Sequence, residues 1–397
     1  SVRSEEVAGS PAGLIAAVNS RWLIRAALAG DVELWDVGSD IGAARPTLIE
    51  NWRLAGPLIS ARARWLATTD SDGAIHLWDL AVPTGAPVSV VLKGATGEPA
   101  HVGVSADGQI VLAAIRSVDE GDSLWLWDLR SPTQNGPTML WRSPESLDSL
   151  AVSPDGRRAI AGVPEGEVRL WDLSSRPPRF QMLAVPRHDS VERVEFSASS
   201  RWALALTREK AVMLWDLAAQ EGTGSTPVLF RDQEVEAVAL SADGRWLTIG
   251  KEDGAVYLLN LSTDHPVDGQ RTLAASESGV CSVATGGNGR WLVAGCQNGE
   301  AWLWDLEAMD GADQPVKLRA GSLLVTEVAI SPDGRWVVTS AWDGTMLWPL
   351  QTEELVALAR AKLRRNLSAE EWRTYFPRDT YRATFPELSL PKSPSEK

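Results

Sequence analysis

The feature that most constrains the fold of this chain is a Trp that returns at nearly constant intervals. The segments GDVELWDV, GAIHLWDL, SLWLWDLR, GEVRLWDL, AVMLWDLA, GAVYLLNL, GEAWLWDL and GTMLWPLQ place it, or a substitute, at Trp35, Trp78, Trp127, Trp171, Trp215, Leu259, Trp304 and Trp348. Successive gaps are 43, 49, 44, 44, 44, 45 and 44 residues. Such a period marks an array of small units, each unable to bury its own apolar surface and obliged to stack on its neighbours. The array accounts for a skewed aromatic content, 19 Trp against three Tyr and five Phe.

A second motif precedes most copies: SADGQI at Ser105, SPDGRR at Ser153, SADGRW at Ser241, GGNGRW at Gly286 and SPDGRW at Ser331. Degenerate forms lie at Ala17–Trp22, Ser60–Trp65 and Ser197–Trp202. From the residue after the motif's Arg to the Trp-Asp position is 13 residues in six copies, with 17 in the third and 12 in the eighth. In the sixth copy VEAVALS is an apolar strand, ADGR a tight turn, WLTIG a strand, KEDG a second turn and AVYLLNL a third strand. A weaker fourth strand follows most copies, as in PVSVVLKG, PVLFRDQ and PVKLRAG. Four short antiparallel strands per unit predict an all-β propeller of eight blades. Seven blades, with the divergent first or second copy folded otherwise, are the alternative.

These motifs resemble the WD40-repeat family over residues 1–350. The resemblance implies that the Trp of Trp-Asp packs between blades and donates its indole N–H inside a small side-chain network. The family's partners there are a Ser or Thr on the second strand, a His from a Gly-His turn and an acid before the third strand. This chain keeps the turn positions Asp72, Glu165, Asp253, Asn298 and Asp343 but largely lacks Gly-His, His188 in RHDSV being the nearest match. Packing must then supply more of the rigidity.

The pattern ends after Trp348, and residues 351–397 read as a separate tail. Leu355, Leu358, Ala359 and Leu363 form a helical stripe, and Ser368 with Glu371 caps a short helix holding Trp372. An exposed stripe of this kind is rarely tolerated, so the tail is expected to dock through Leu355–Leu363 and Trp372. The string LVALARAKLRRNLSAEEWRTYFPRDTYRATFPEL resembles the end of large bacterial signalling proteins, in which a WD propeller follows an NTPase module and an effector. That resemblance, with Ser at position 1, implies a fragment that is the sensor end of a longer chain.

The blades' fourth strands come from PTLIENW, PVSVVLKG, PTMLWRS, RFQMLAV, PVLFRD, RTLAAS and PVKLRA, but the eighth copy runs straight into the tail. SVRSEEVAG at the N-terminus is therefore predicted to complete the eighth sheet by pairing with Thr345–Trp348, which covers an edge that would otherwise promote association.

Charge and motif content bound the function. The net charge of −14 disfavours nucleic acid or an anionic membrane as partner, since phosphates need a basic stripe. No run of about 18 apolar residues is present, and Cys281 and Cys296 make neither a disulfide framework nor a zinc site. A soluble cytoplasmic protein follows as the expectation. There is no P-loop, HExxH, GxSxG or GxGxxG ahead of a helix, and His76, His101, His188 and His265 fall in four different repeats. No enzyme, cofactor or metal is expected. A propeller dehydrogenase with a quinone in its channel would need ligating carboxylates in a secreted chain.

What remains is surface recognition: a monomeric propeller binding another protein or an intramolecular partner domain, with a free-standing scaffold as the alternative. The rim made by loops between second and third strands, and between one blade's last strand and the next blade's first, carries the candidates. These are Trp342, Arg187, His188, Arg208, Arg231, Lys251 and Arg319, with Arg116, Asp119 and Glu120 from the long insert RSVDEGD in the third repeat.

Overall fold

The computed structural model describes residues 5–7, 15–17, 22–26, 32–36, 47–49 and 58–59, and most of 64–351 apart from interstrand segments, the longest at 82–88, 131–135, 219–227, 263–269 and 308–314. Of residues 352–397 it describes Asn366 and Ser368. The expected tail helix, its capping box and the docking of Trp372 lie outside the described residues.

The described strands form eight four-stranded antiparallel sheets, one for each position of the Trp ladder, within a compact unit spanning Glu5–Trp348. The seventh blade shows the plan: Val280–Thr285 innermost, then Trp291–Cys296, Glu300–Asp305 and Val316–Arg319 outermost. Strand order follows chain order in seven sheets. In the eighth, Val325–Ile330, Trp336–Ala341 and Gly344–Pro349 are completed by Glu5–Val7, with Glu5 opposite Leu347 and Val7 opposite Thr345. The N-terminal strand thus occupies the predicted place. The inner strand Ile15–Ala17 of the first blade lies against the eighth.

In the third, fourth, sixth and eighth blades the hairpin between first and second strands is built by the Ser-x-Asp-Gly motif. In the sixth blade Ser241 Oγ donates to Asp243 Oδ1 at 2.5 Å, Trp246 N donates to Ser241 Oγ at 2.9 Å, and Arg245 N to Asp243 Oδ1 at 3.0 Å. The equivalent glycine in the third blade, Gly108, has φ +72° and lies against the Trp65 ring of the second, so a side chain there meets both backbone strain and the neighbouring blade.

Packing between blades follows from the same repeat. Buried clusters join the second strands and Trp-Asp positions of consecutive blades: Leu112 and Ala114 with Trp171, and Ala203 and Trp215 with Ile160 and Val168. Leu259 takes the Trp position in the sixth blade at 0% exposure. A recurrent bulge near the start of the inner strand, after Val191, Val235, Val280 and Val325, accompanies four fully buried valines. Val280 lies against Gly250 and Val325 against Gly295, where a Cβ would overlap the valine methyls. Cys281 and Cys296 lie on paired strands and behave as small core residues, Cys296 fully buried with its thiol pushed up to about 12 by burial.

The Trp-Asp pair has two roles. The Asp accepts the backbone N–H two residues on, as Asp79 does from Ala81 at 3.0 Å, and Asn260 of the degenerate copy does the same for Ser262. Among the described residues it also holds, in three blades, a forked ion pair with the Arg 15 residues upstream: Arg64–Asp79, Arg201–Asp216 and Arg290–Asp305, at 2.7, 2.6 and 2.7 Å. Each of these arginines lies over the ring of the Trp that follows it, Trp65, Trp202 or Trp291.

In blades two, four, five, seven and eight the Trp indoles divide by the residue opposite, whereas in the third, which has Ala113 there, Trp127 donates to Lys93 O at 3.2 Å. Trp78 donates to Thr68 and Trp348 to Thr339, both at 2.9 Å. At the position of Thr68, two residues beyond the Trp's cross-strand partner, blades four, five and seven carry Ala161, Ala205 and Ala294. In those blades the buried indole N–H groups of Trp171, Trp215 and Trp304 have no partner among the described residues.

Candidate functional site

The loops that join second to third strands, and outer strands to the next blade's inner strand, lie together on one rim and are tied to one another in pairs. In the third and fourth blades Asp122 accepts the N–H of Leu147 at 2.8 Å, and Ser190 donates to Asp148 at 2.8 Å across to the fifth. Asp189 accepts from Glu209 N. Further round, Asn298 donates to Ser276 and Asp343 accepts both the N–H and hydroxyl of Ser322. Those two bonds hold the Asp343 carboxyl below the usual carboxylate range. Backbone bonds continue the contact, Glu252 N to Glu234 O at 2.7 Å, Gln297 N to Gly279 O at 2.9 Å and Trp342 N to Leu324 O at 3.4 Å. A rim tied in this way presents its side chains from fixed positions.

Of the candidates, Asp119, Glu120, Arg187 and His188 lie outside the described residues. Arg116, Arg208, Arg231, Arg319 and Trp342 are exposed, Arg231 and Arg319 at the ends of outer strands and the others at or beside rim loops. Lys251 is not a free rim cation. It is 6% exposed, with Nζ 2.7 Å from Glu234, 3.0 Å from Asp232 and 3.1 Å from Asp253. Burial works against its charge, but the three carboxylates outweigh burial and raise its pKa. Lys251 therefore joins two rim loops of the sixth blade, and one cation among three acids leaves that part of the rim negative.

Trp342 is 60% exposed, on the turn after the eighth blade's second strand. Leu323, in the loop bonded to that turn, is 51% exposed and was not anticipated from sequence. The other large exposed apolar side chains described, Val90, Val91, Met139, Phe180, Met182 and Val316, lie on outer strands. The tying carboxylates Asp148 and Asp189 were also missed, although each stands in an Asp-Ser pair ahead of an inner strand. Among the described residues no three His, Cys, Asp or Glu side chains are placed to hold a metal ion, and no helix is long and apolar enough to cross a membrane.

The model of the WD domain, G-beta repeat family matches residues 269–305 and 316–348, which take in the seventh and eighth ladder positions. Among solved structures the chain is similar to Sqt1 from Chaetomium thermophilum, with a TM-score of 0.63 and 14% identity over 88% of this chain and 99% of that one. At that identity the likeness is one of fold. No curated protein matches the sequence.

Proposed function

This chain is a WD-repeat β-propeller, and from that premise we propose that it is a non-catalytic interaction module whose loop rim takes up a protein partner. The observation that carries the reading is Trp342, exposed beside Leu323 on a cross-bonded rim where, among the described residues, no other large apolar side chain is exposed. Single exposed apolar residues are ordinary, but a Trp held on a tied turn beside a second apolar residue has the character of an interface anchor. The resemblance of residues 355–388 to the end of bacterial signalling proteins supports a finer version. In it the propeller is the cytoplasmic sensor end of a chain with an NTPase module and an effector, binding a protein or another domain of that chain.

The test is an affinity capture with cross-linking in the source cells, comparing the native protein with Trp342→Ala and with Phe180→Ser as a control on an outer strand. A partner lost with the first variant and kept with the second is expected. Equal capture by all three, or loss with Phe180→Ser alone, defeats the rim reading. A second surface does favour the scaffold alternative. On the outer edges of blades three and four, Met139, Phe180 and Met182 are exposed, and Arg169 lies 4.1 Å over the Trp141 ring. Loss with Phe180→Ser alone would point there.

A further inference from the structure

The rim is not uniform in charge, and its apolar pair stands at one end of an acidic arc. Six segments follow one another in contact: 231–234, 251–254, 276–279, 297–299, 321–324 and 341–343. Between them they hold six acidic residues, Asp232, Glu234, Glu252, Asp253, Glu277 and Asp343, against Arg231 and Lys251. Lys251 is buried in its carboxylate cage, and Arg231, like Arg319 between the segments 297–299 and 321–324, ends an outer strand. Glu234, Glu252, Asp253, Glu277 and Asp343 are exposed. The two apolar residues, Leu323 and Trp342, follow Glu277 along the same line. A partner that covered Trp342 with an acidic segment would set like charges together, whereas a basic segment is steered in and held. An indole face also attracts ammonium and guanidinium groups.

Resting on the rim-binding reading above, we propose that the arc from the sixth to the eighth blade docks a partner segment in which an apolar side chain is flanked by Lys and Arg. The apolar side chain packs on Trp342 and Leu323, and the cations lie along Glu277 and Glu252. Neither glutamate is among the carboxylates that hold Lys251, so reversing their charge leaves the cage intact. The size of the effect follows from the anchor: removing an interface Trp weakens binding about tenfold or more. Exposed charge contributions decline as salt is added.

The experiment is selection of displayed random dodecapeptides on the full chain, followed by fluorescence anisotropy of the enriched peptides. Enrichment of peptides with Lys or Arg around an apolar residue is expected. Their affinity should fall about tenfold or more with Trp342→Ala, fall with Glu252→Lys combined with Glu277→Lys, and fall with added salt. Rim-sensitive peptides that are acidic or uncharged overturn the basic-partner assignment but leave the rim reading standing. Enriched peptides indifferent to Trp342→Ala, or no enrichment, overturn both. Two further outcomes reassign the occupant and overturn the proposal: displacement of the enriched peptides by a synthetic peptide of residues 355–367, which names the chain's own tail, and self-association abolished by Trp342→Ala, which names a second copy.

Discussion

Replacing Thr339 by Val changes one buried atom pair and almost no volume. The Thr339 hydroxyl accepts the indole N–H of Trp348 at 2.9 Å, with Thr339 fully buried and Trp348 6% exposed, so water cannot readily replace the lost acceptor. A buried donor left without a partner costs about 1–3 kcal/mol. Relief from burying the hydroxyl offsets part of this, so about 1–2 kcal/mol is expected. The measurement is equilibrium chemical denaturation, because in a chain of this size each kcal/mol moves the melting temperature by only about 1–2 °C. Trp348→Phe removes the donor along with part of the ring, so the double variant should lose about 1 kcal/mol less than the sum of the single variants. A companion change runs the other way: Ala205→Ser offers a hydroxyl to Trp215, whose N–H has no partner among the described residues, and should stabilise by roughly 0.5–1 kcal/mol. If Thr339→Val unfolds with the native protein, or costs the same with Trp348 replaced by Phe, the hydrogen bond contributes nothing and this reasoning fails.

Gly295→Ala places a methyl on Val325 Cγ1 at 2.5 Å and Val328 Cγ1 at 2.8 Å, both belonging to the next blade, and should cost about 1–3 kcal/mol by denaturation. A cost near zero would show that the blades give way easily. Deleting residues 1–8 removes the strand paired with Thr345–Leu347 and should lower stability by about 1–3 kcal/mol, a few net backbone hydrogen bonds. Light scattering on that variant should also reveal association through the bared edge, and an unchanged, monodisperse protein would exclude a role for the strand in closing the eighth sheet. The carboxylate contribution to stability should be flat above about pH 5 and fall below about pH 4. Asp79, bonded by Arg64, and Asp128, bonded by Arg130, are held below the usual carboxylate range, so the unfolded chain takes up protons first as the pH falls. Asp79→Asn should flatten that slope, and a stability curve indifferent to acid would contradict the sign.

The repeat period, the strand order within a blade and the turn chemistry were legible in the sequence because they are local and copied. Ser241, Asp243, Gly244 and Arg245 make their turn from bonds spanning two to five residues, so the motif alone specifies it. The seam was legible too, since the eighth copy lacked a fourth strand and SVRSEEVAG lacked a sheet. What tertiary structure decided lies between blades and between loops. Arg64, Arg201 and Arg290 each stand 15 residues before their Asp, a regularity present in the sequence, but only the second-to-third strand register shows that the spacing makes an ion pair. Lys251 and Trp342 occupy the same kind of turn and read alike as rim candidates. Lys251 pairs with Val235 at the end of its strand, as the buried Ala341 pairs with Val325, and is enclosed by Asp232 and Glu234, whereas Trp342 stands one position further on, where the sixth blade has the exposed Glu252. A turn's own residues set its backbone shape. Whether its side chain faces solvent depends on a segment some twenty residues away, and that pairing exists only once the blade has folded.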